Sequence, residues 1–202
     1  LERLILLGNR ISGFSQGIFD RCTELYELQL SRNAIEAEFP SLAACKQLGS
    51  IFLGQNKIRG ELPDDFFLPF ASTLIFFDIA DNQVGGAIPT SVVKGGKQFK
   101  SFSATNNNFT GEIPEVHEHL KKLELSGNQL SGPLPKLPKG LKKLMLANNE
   151  KLRGATDAIG ELHVETIEEI DVSGTGLDAL PQKVKDLSGK PVSGEPKKKV
   201  KK

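Results

Sequence analysis

The sequence predicts an α/β solenoid, a single curved, right-handed coil of about eight repeats built mostly from short parallel strands and loops. Three observations predict this fold. A template of the form LxxLxLxxNxL recurs along almost the whole chain, apolar and polar residues alternate within each copy, and one copy alone cannot bury its apolar face. Copies stacked in register would bury those faces together, so stability grows with repeat number.

The template fixes the domain organisation. Its copies begin at Leu1, Leu25, Leu48, Leu74, Phe99, Leu120, Leu141 and Ile167. The differences between successive starts are 24, 23, 26, 25, 21, 21 and 26 residues, so we expect an irregular coil over residues 1–181.

Each copy predicts one short strand. In Leu28-Gln29-Leu30 and Leu123-Glu124-Leu125 the apolar residues occupy every second position, which is the period of a strand with one buried face. The ninth template position is an asparagine in seven copies and Thr175 in the last. We expect these amides to satisfy backbone groups of the neighbouring turn as a ladder. The ladder consists of Asn9, Asn33, Asn56, Asn82, Asn107, Asn128 and Asn149.

Four copies continue with a G-x-[IL]-P element. The elements begin at Gly60, Gly86, Gly111 and Gly132. On these motifs the chain resembles the leucine-rich-repeat family, in particular the subclass found in receptor-like kinase ectodomains, with some shorter repeats. The resemblance implies a second short strand after the first and a binding surface on the concave side. The 21-residue copies should cross the convex side as extended chain, and extra residues between Phe70 and Lys97 should form loops.

Composition excludes several functions. The 26 basic and 25 acidic residues nearly cancel, so no global field favours nucleic acid or membrane. The sequence has no nucleophile elbow, phosphate loop or zinc-ligand pattern, so we predict neither an enzyme nor a cofactor. His117 and His119 have no third ligand at a recognised spacing, so we also expect no metal.

Cys22 and Cys45 occupy the same template position on adjacent turns. Stacked turns of a parallel sheet lie close enough for a disulfide. Because this position is buried in the family that the chain resembles, we favour two reduced core cysteines and keep the disulfide as the alternative.

The resemblance implies that outward strand positions of the concave face meet a partner. Exposed aromatic side chains there are more informative than buried ones. The candidate residues are Tyr26, Phe52, Phe76, Asp78, Lys122, Glu124, Lys143 and Met145. A basic zone of Lys100, Lys121, Lys122, Lys142 and Lys143 precedes Glu168, Glu169 and Asp171. The alternative is a solvated face with cross-repeat ion pairs of about 0 to 1 kcal/mol each.

Residues 182–202 are rich in lysine, glycine, serine and proline, which predicts a disordered tail. The tail is a candidate nuclear import signal or an electrostatic arm toward an acidic protein, RNA or anionic lipid. Its candidate binding residues are Lys197, Lys198, Lys199, Lys201 and Lys202. At the other end, Leu1, Leu4 and Leu6 present an apolar edge, so we expect either preceding sequence or a covering partner.

Two main functional hypotheses follow, and a third, an enzyme regulator that caps a catalytic partner, differs from the first only in its effect on activity. The first is a non-catalytic protein-protein interaction module, a scaffold or accessory subunit of a large multi-protein assembly, inside the cell or an organelle. The alternative is an extracellular ligand-recognition domain of a receptor-like protein. The G-x-[IL]-P elements and the glycosylation sequon Asn108-Phe109-Thr110 favour the alternative.

Overall fold

The computed structural model describes residues 1–94, 96–160, 162 and 166–179 and the short strand Val192–Ser193. The chain winds as a leucine-rich-repeat solenoid of about seven turns, with two parallel sheets and little helix. Among these residues, no helix is both long and apolar enough to span a bilayer.

The first sheet is built from one strand per repeat. Its strands, in spatial order, are β1 (Arg3–Ile5), β2 (Glu27–Gln29), β3 (Ser50–Phe52), β5 (Phe76–Asp78), β7 (Ser101–Ser103), β9 (Lys122–Glu124), β11 (Lys143–Met145), β13 (Glu169–Asp171) and β15 (Val192–Ser193). The first eight coincide with the third to fifth residues of the eight template copies, as predicted.

In the eight template strands of this sheet, from β1 to β13, the middle residue packs in or against the core. Leu28, Ile51, Phe77 and Leu144 are fully buried, whereas the residues on either side of them face outward and, apart from the buried Ser50, are partly or fully exposed. The outward residues of the eight template strands of the first sheet form one continuous surface, which we call the first-sheet face. Parallel pairing aligns equivalent residues of successive repeats across it, for example Glu27 with Ser50 and Lys122 with Lys143.

A second sheet follows the first from the third turn onward, and its second strand per turn is the one that the resemblance implied. It contains β4 (Arg59–Glu61), β6 (Gln83–Ala87), β8 (Asn108–Glu112), β10 (Gln129–Gly132), β12 (Lys151–Gly154) and β14 (Gly176–Leu177). Gly86 has a φ of 74°, and a Cβ on it would lie 2.7 Å from Cδ of Glu61 in the preceding turn. The left-handed backbone favours glycine there, whereas the exposed side chain of Glu61 could move away from an added Cβ.

Phenylalanines fill the middle of the core. The ring of Phe67 lies 5.2 Å from Phe77, 5.8 Å from Phe99 and 5.9 Å from Phe102, measured between centroids. Each such buried side chain contributes roughly 1.5–3 kcal/mol. This cluster packs behind β5 and β7 and therefore supports the middle of the first-sheet face.

The connections between repeats vary. The longer turns contain short 3-10 helices at Leu68–Phe70 and Thr90–Lys94, so part of the segment expected to form loops between Phe70 and Lys97 is helical. One short α-helix, α1, spans Asp157–Gly160. The 21-residue turn through 133–142 contains no helix or strand, in line with the extended crossing predicted for it.

Strand β15 pairs with β13, with Ile170 beside Val192. It lies inside 182–202, so two residues predicted to be disordered form a strand instead. The physical reason is that an edge strand such as β13 offers unpaired backbone groups to any neighbouring segment. The five candidate lysines of the tail lie outside the described residues.

Candidate partner-binding face

The asparagine ladder holds the first-sheet face in register. Asn56 donates from Nδ2 to the carbonyl oxygens of Leu53 in its own turn (2.9 Å) and Leu30 in the preceding turn (3.1 Å), and its Oδ1 accepts from the N–H of Ile35 (3.1 Å). The same bonds to the preceding turn recur at Asn33, Asn82, Asn107, Asn128 and Asn149. Asn9 differs because it donates within its own turn, to Leu6 and Leu7.

The residue before the ladder asparagine turns the chain out of the first sheet. It has a positive φ in all eight copies: Gly8, Arg32, Gln55, Asp81, Asn106, Gly127, Asn148 and Gly174, with φ between 53° and 70°. The sequence reasoning did not single out this position. A signal was present, because six of these eight residues are glycine, asparagine or aspartate, the types that best tolerate left-handed backbone.

Two of the predicted aromatic residues, Phe52 and Phe76, contact each other near the start of the first sheet, and the third, Tyr26, lies just before β2. The rings of Phe52 and Phe76 stack, with centroids 6.2 Å apart and planes 25° apart. Phe76 is 41% exposed and Tyr26 is 46% exposed. Tyr26 lies over Gly49, where any Cβ would collide with its ring. We call Tyr26, Phe52 and Phe76 the aromatic patch.

Asp78 adjoins the aromatic patch, since it pairs with Phe52 across β3 and β5. Its Oδ1 accepts a hydrogen bond from the N–H of Ala80 at 2.9 Å. Burial raises the pKa of this carboxyl above its ordinary value, more than its hydrogen bonds lower it, and the charge of Glu124 raises it further. A partly buried carboxylate on an outward position is costly, and such groups are concentrated at functional sites.

The other predicted residues lie farther along the first-sheet face. Lys143 bridges Glu124 and Glu169, with Nζ 3.0 Å from a carboxylate oxygen of each. These hydrogen bonds raise the pKa of Lys143. Met145 is half-buried beside Glu124. Lys143 is therefore paired within the protein, which agrees with the alternative prediction of a solvated face with cross-repeat ion pairs.

The basic zone is partly neutralised in the same way. Lys142 pairs with Glu168 at 2.8 Å. Lys100 and Lys121 donate to the carbonyl oxygens of Lys97 and Gly140. Among the described residues, no carboxylate lies within ion-pair distance of Lys122, so this ammonium group on β9 is available to an outside anion.

An open cleft of about 470 Å³ borders the aromatic patch where the chain enters the strands. Arg3, Tyr26, Thr73 and Ile75 contribute to its wall. The rest of the wall is mostly polar and includes Glu2, Glu24, Gln47 and Gln98, so the cleft offers hydrogen-bonding groups beside the exposed ring of Tyr26.

The cysteine and histidine pairs lie away from this face. Cys22 and Cys45 are both free, and Cys45 is fully buried. Burial raises the pKa of the Cys45 thiol to about 11, helped by the nearby Cys22. The rings of His117 and His119 meet at 5.2 Å, and burial lowers the pKa of His117. Within the described parts of the chain, no three metal-ligating side chains form a group suited to a metal ion.

Comparison with known proteins agrees with this fold. The leucine-rich-repeat family model matches residues 119–141. Pollen receptor-like kinase 2 of Arabidopsis thaliana is 33% identical over 101 residues, which are 50% of this chain and 15% of that protein. Polygalacturonase inhibitor 1 of the same plant is 34% identical over 108 residues, which are 52% of this chain and 31% of the inhibitor. The chain thus spans less than a third of these curated relatives.

A solved structure extends the likeness over nearly the whole chain. The ectodomain of the Arabidopsis receptor kinase HAESA, in complex with a peptide hormone, superposes with a TM-score of 0.78 at 25% identity. The match covers 96% of this chain and 37% of that ectodomain. The chain therefore has the leucine-rich-repeat fold, and its repeats are similar to those of plant receptor-like kinase ectodomains.

Proposed function

We propose that this chain is an extracellular recognition domain that binds a peptide or an extended segment of another protein across the first-sheet face. The observation that carries the proposal is the exposed aromatic patch, in which Phe52 and Phe76 stack on outward strand positions. Exposed apolar area lowers solubility, and central aromatic side chains dominate binding energy at protein interfaces.

The relatives support this proposal over a scaffold or accessory subunit inside the cell. HAESA, which the chain resembles in fold and repeat type, binds a peptide hormone through its ectodomain. Polygalacturonase inhibitor 1 is, by its name, an inhibitor of another protein. Both are consistent with a module that recognises proteins or peptides and performs no catalysis itself.

The first-sheet face indicates the character of the ligand. From Tyr26, just before β2, to Lys122 on β9 there are four strand intervals, about 19 Å at roughly 4.8 Å each. An extended peptide covers that distance with about six residues. The ligand should therefore carry an apolar or aromatic side chain at the patch and a carboxylate opposite the available ammonium group of Lys122. That carboxylate should lie about six residues from a side chain bound at Tyr26 and about three residues from one bound at Phe76.

A peptide selection tests the proposal. The purified chain is used to select binders from a random peptide library displayed on phage, and the selected peptides are synthesised for titration. We expect peptides with an aromatic or aliphatic residue and an acidic residue about three to six positions from it. The double substitution of Phe52→Ala and Phe76→Ala should weaken their binding at least tenfold, which corresponds to about 1.4 kcal/mol.

Matched controls locate the site. Leu68 and Val93 are 45% and 36% exposed and lie in the connecting helices, so Leu68→Ala and Val93→Ala remove similar apolar area elsewhere. They should leave binding unchanged. Lys122→Glu should reverse the preference for acidic peptides. Equal binding by the wild type and the Phe52, Phe76 double variant would overturn the assignment to the first-sheet face.

A further inference from the structure

We propose that Asn108 carries an N-linked glycan on the second sheet. Asn108-Phe109-Thr110 is the one Asn-x-Ser/Thr sequence in the chain. The inference rests on the proposed extracellular function, because this modification is added in the secretory pathway.

The strand β8 presents the sequon in an accessible form. Phe109 is fully buried in the core, whereas Asn108 and Thr110 are exposed. Since successive side chains of a strand point to opposite faces, the carboxamide of Asn108 and the hydroxyl of Thr110 stand on the same outer side. A glycan attached at Asn108 would therefore extend into solvent without disturbing Phe109.

The neighbouring strand leaves room for the sugar. Asn108 pairs with Gly85 of β6, which has no side chain to crowd the attachment point. The hypothetical Cβ of Gly85 would lie 3.5 Å from Cβ of Asn108, so most residues at this position would contact the modified side chain.

The local hydrogen bonds are compatible with the modification. Nδ2 of Asn108 donates to the carbonyl oxygen of Gln83 at 3.2 Å. In the reaction this nitrogen forms a bond to the anomeric carbon of a lipid-pyrophosphate oligosaccharide. The bond from that carbon to the pyrophosphate oxygen breaks, its electron pair leaves with the pyrophosphate, and the amide gives up one proton. The remaining N–H can still donate to Gln83, so the folded strand is retained.

The position of the glycan also divides the surface. Asn108 belongs to the second sheet, whereas the aromatic patch belongs to the first. A bulky, solvated glycan excludes a partner from the surface around β8 and leaves the first-sheet face open. Modification and recognition can therefore occur on the same molecule.

The full chain, expressed in plant cells behind a secretory leader, provides the test. Peptide mass spectrometry before and after enzymatic deglycosylation should find Asn108 glycosylated in most molecules and converted to aspartate by the enzyme. Asn108→Gln and Thr110→Ala should each remove the glycan, whereas Thr110→Ser should keep it. Gln129→Asn creates a further sequon with Leu130 and Ser131 on β10, where the residue is likewise exposed but pairs with Thr110 in place of a glycine. It should therefore be glycosylated less completely than Asn108.

The possible failures have different meanings. A secreted, folded wild-type chain without sugar at Asn108 would overturn the glycan inference and leave the proposed binding function standing. Glycan on the secreted chain but none on the protein isolated from its native source would overturn the extracellular location, and the glycan inference with it. The phage-peptide titration remains a separate readout, and removal of the glycan should leave peptide affinity unchanged.

Discussion

Nδ2 of Asn149 lies 2.9 Å from the carbonyl oxygen of Leu125 in the preceding turn of the coil. Asn149 is fully buried, and its Oδ1 also accepts from the N–H of Leu130 at 3.1 Å. One side chain thus satisfies a donor and an acceptor of a neighbouring repeat in a place that water does not reach. The fold therefore depends on the amide chemistry of this residue and not only on its size.

Asn149→Ala should lower the free energy of unfolding by about 2–5 kcal/mol, because it leaves buried backbone groups without partners. Equilibrium unfolding in urea measures this change. Asn9→Ala is the matched control, because Asn9 is exposed and its amide donates to Leu6 and Leu7 of its own turn. This substitution should lower the free energy of unfolding by less than about 1 kcal/mol. Equal effects at the two positions would contradict a ladder that links the turns.

Gln55→Asn should stabilise the protein by roughly 0.5–1 kcal/mol. Gln55 is exposed with a φ of 57°, and asparagine tolerates this backbone better than glutamine. Thermal or urea unfolding provides the measurement. Gln16→Asn is the control, because Gln16 is exposed in a turn without a positive φ, and it should change stability little. A destabilised Gln55→Asn variant would show that the glutamine side chain has a role beyond the turn.

Lys143→Met should lower stability by about 1 kcal/mol at neutral pH, because Glu124 and Glu169 lose their shared cation. The raised pKa of Lys143 means that the folded state binds this proton more tightly than the unfolded chain. The stabilisation is therefore complete below the ordinary value of 10.5 and is lost as the pH rises through the folded-state pKa.

Urea titrations of wild type and Lys143→Met at several pH values and salt concentrations check this. The difference in free energy of unfolding between wild type and Lys143→Met should shrink at high pH and at high salt. Lys57→Met is the control, because Lys57 and Glu36 are 3.7 Å apart with both side chains more than half exposed. A difference that persists undiminished above the folded-state pKa would mean that Lys143 acts through packing.

Cys45 should resist thiol reagents in the folded protein, whereas the half-buried Cys22 should react. With a pKa of about 11, only about one Cys45 thiol in a thousand is ionised at pH 8. Alkylation with iodoacetamide followed by peptide mass spectrometry distinguishes the two. Raising the pH above the ordinary value of 9.0 should favour unfolding, because the thiol ionises more readily in the unfolded chain. Rapid native labelling of Cys45 would contradict its burial.

The strand positions could be predicted because one periodicity fixes both the strand and its buried face. The template starting at Leu120 places Leu123 in the core and Lys122 and Glu124 outside, and the structure has them there. The second strands followed from the resemblance carried by the G-x-[IL]-P elements. Both features depend on residues that are close in sequence.

Other features required knowledge of distances between turns. The pairing of Lys143 with Glu124 and Glu169 depends on which rotamers meet across three strands, which the order of residues leaves open. The raised pKa of the Asp78 carboxyl depends on how deeply its neighbours bury it. The left-handed position was missed for a different reason: Arg32 and Gln55 occupy it against their own preference, because the backbone of the coil determines their conformation.

The constant register of the first sheet has a consequence for protein engineering. Turns of 21 and 26 residues deliver their three strand residues to the same alignment, as the pairing of β9 with β11 and of β11 with β13 demonstrates. Differences in length are absorbed on the far side of the coil. Whole connecting segments can therefore be exchanged or lengthened while the first-sheet face keeps its spacing. A complete repeat can likewise be moved from one such protein into another.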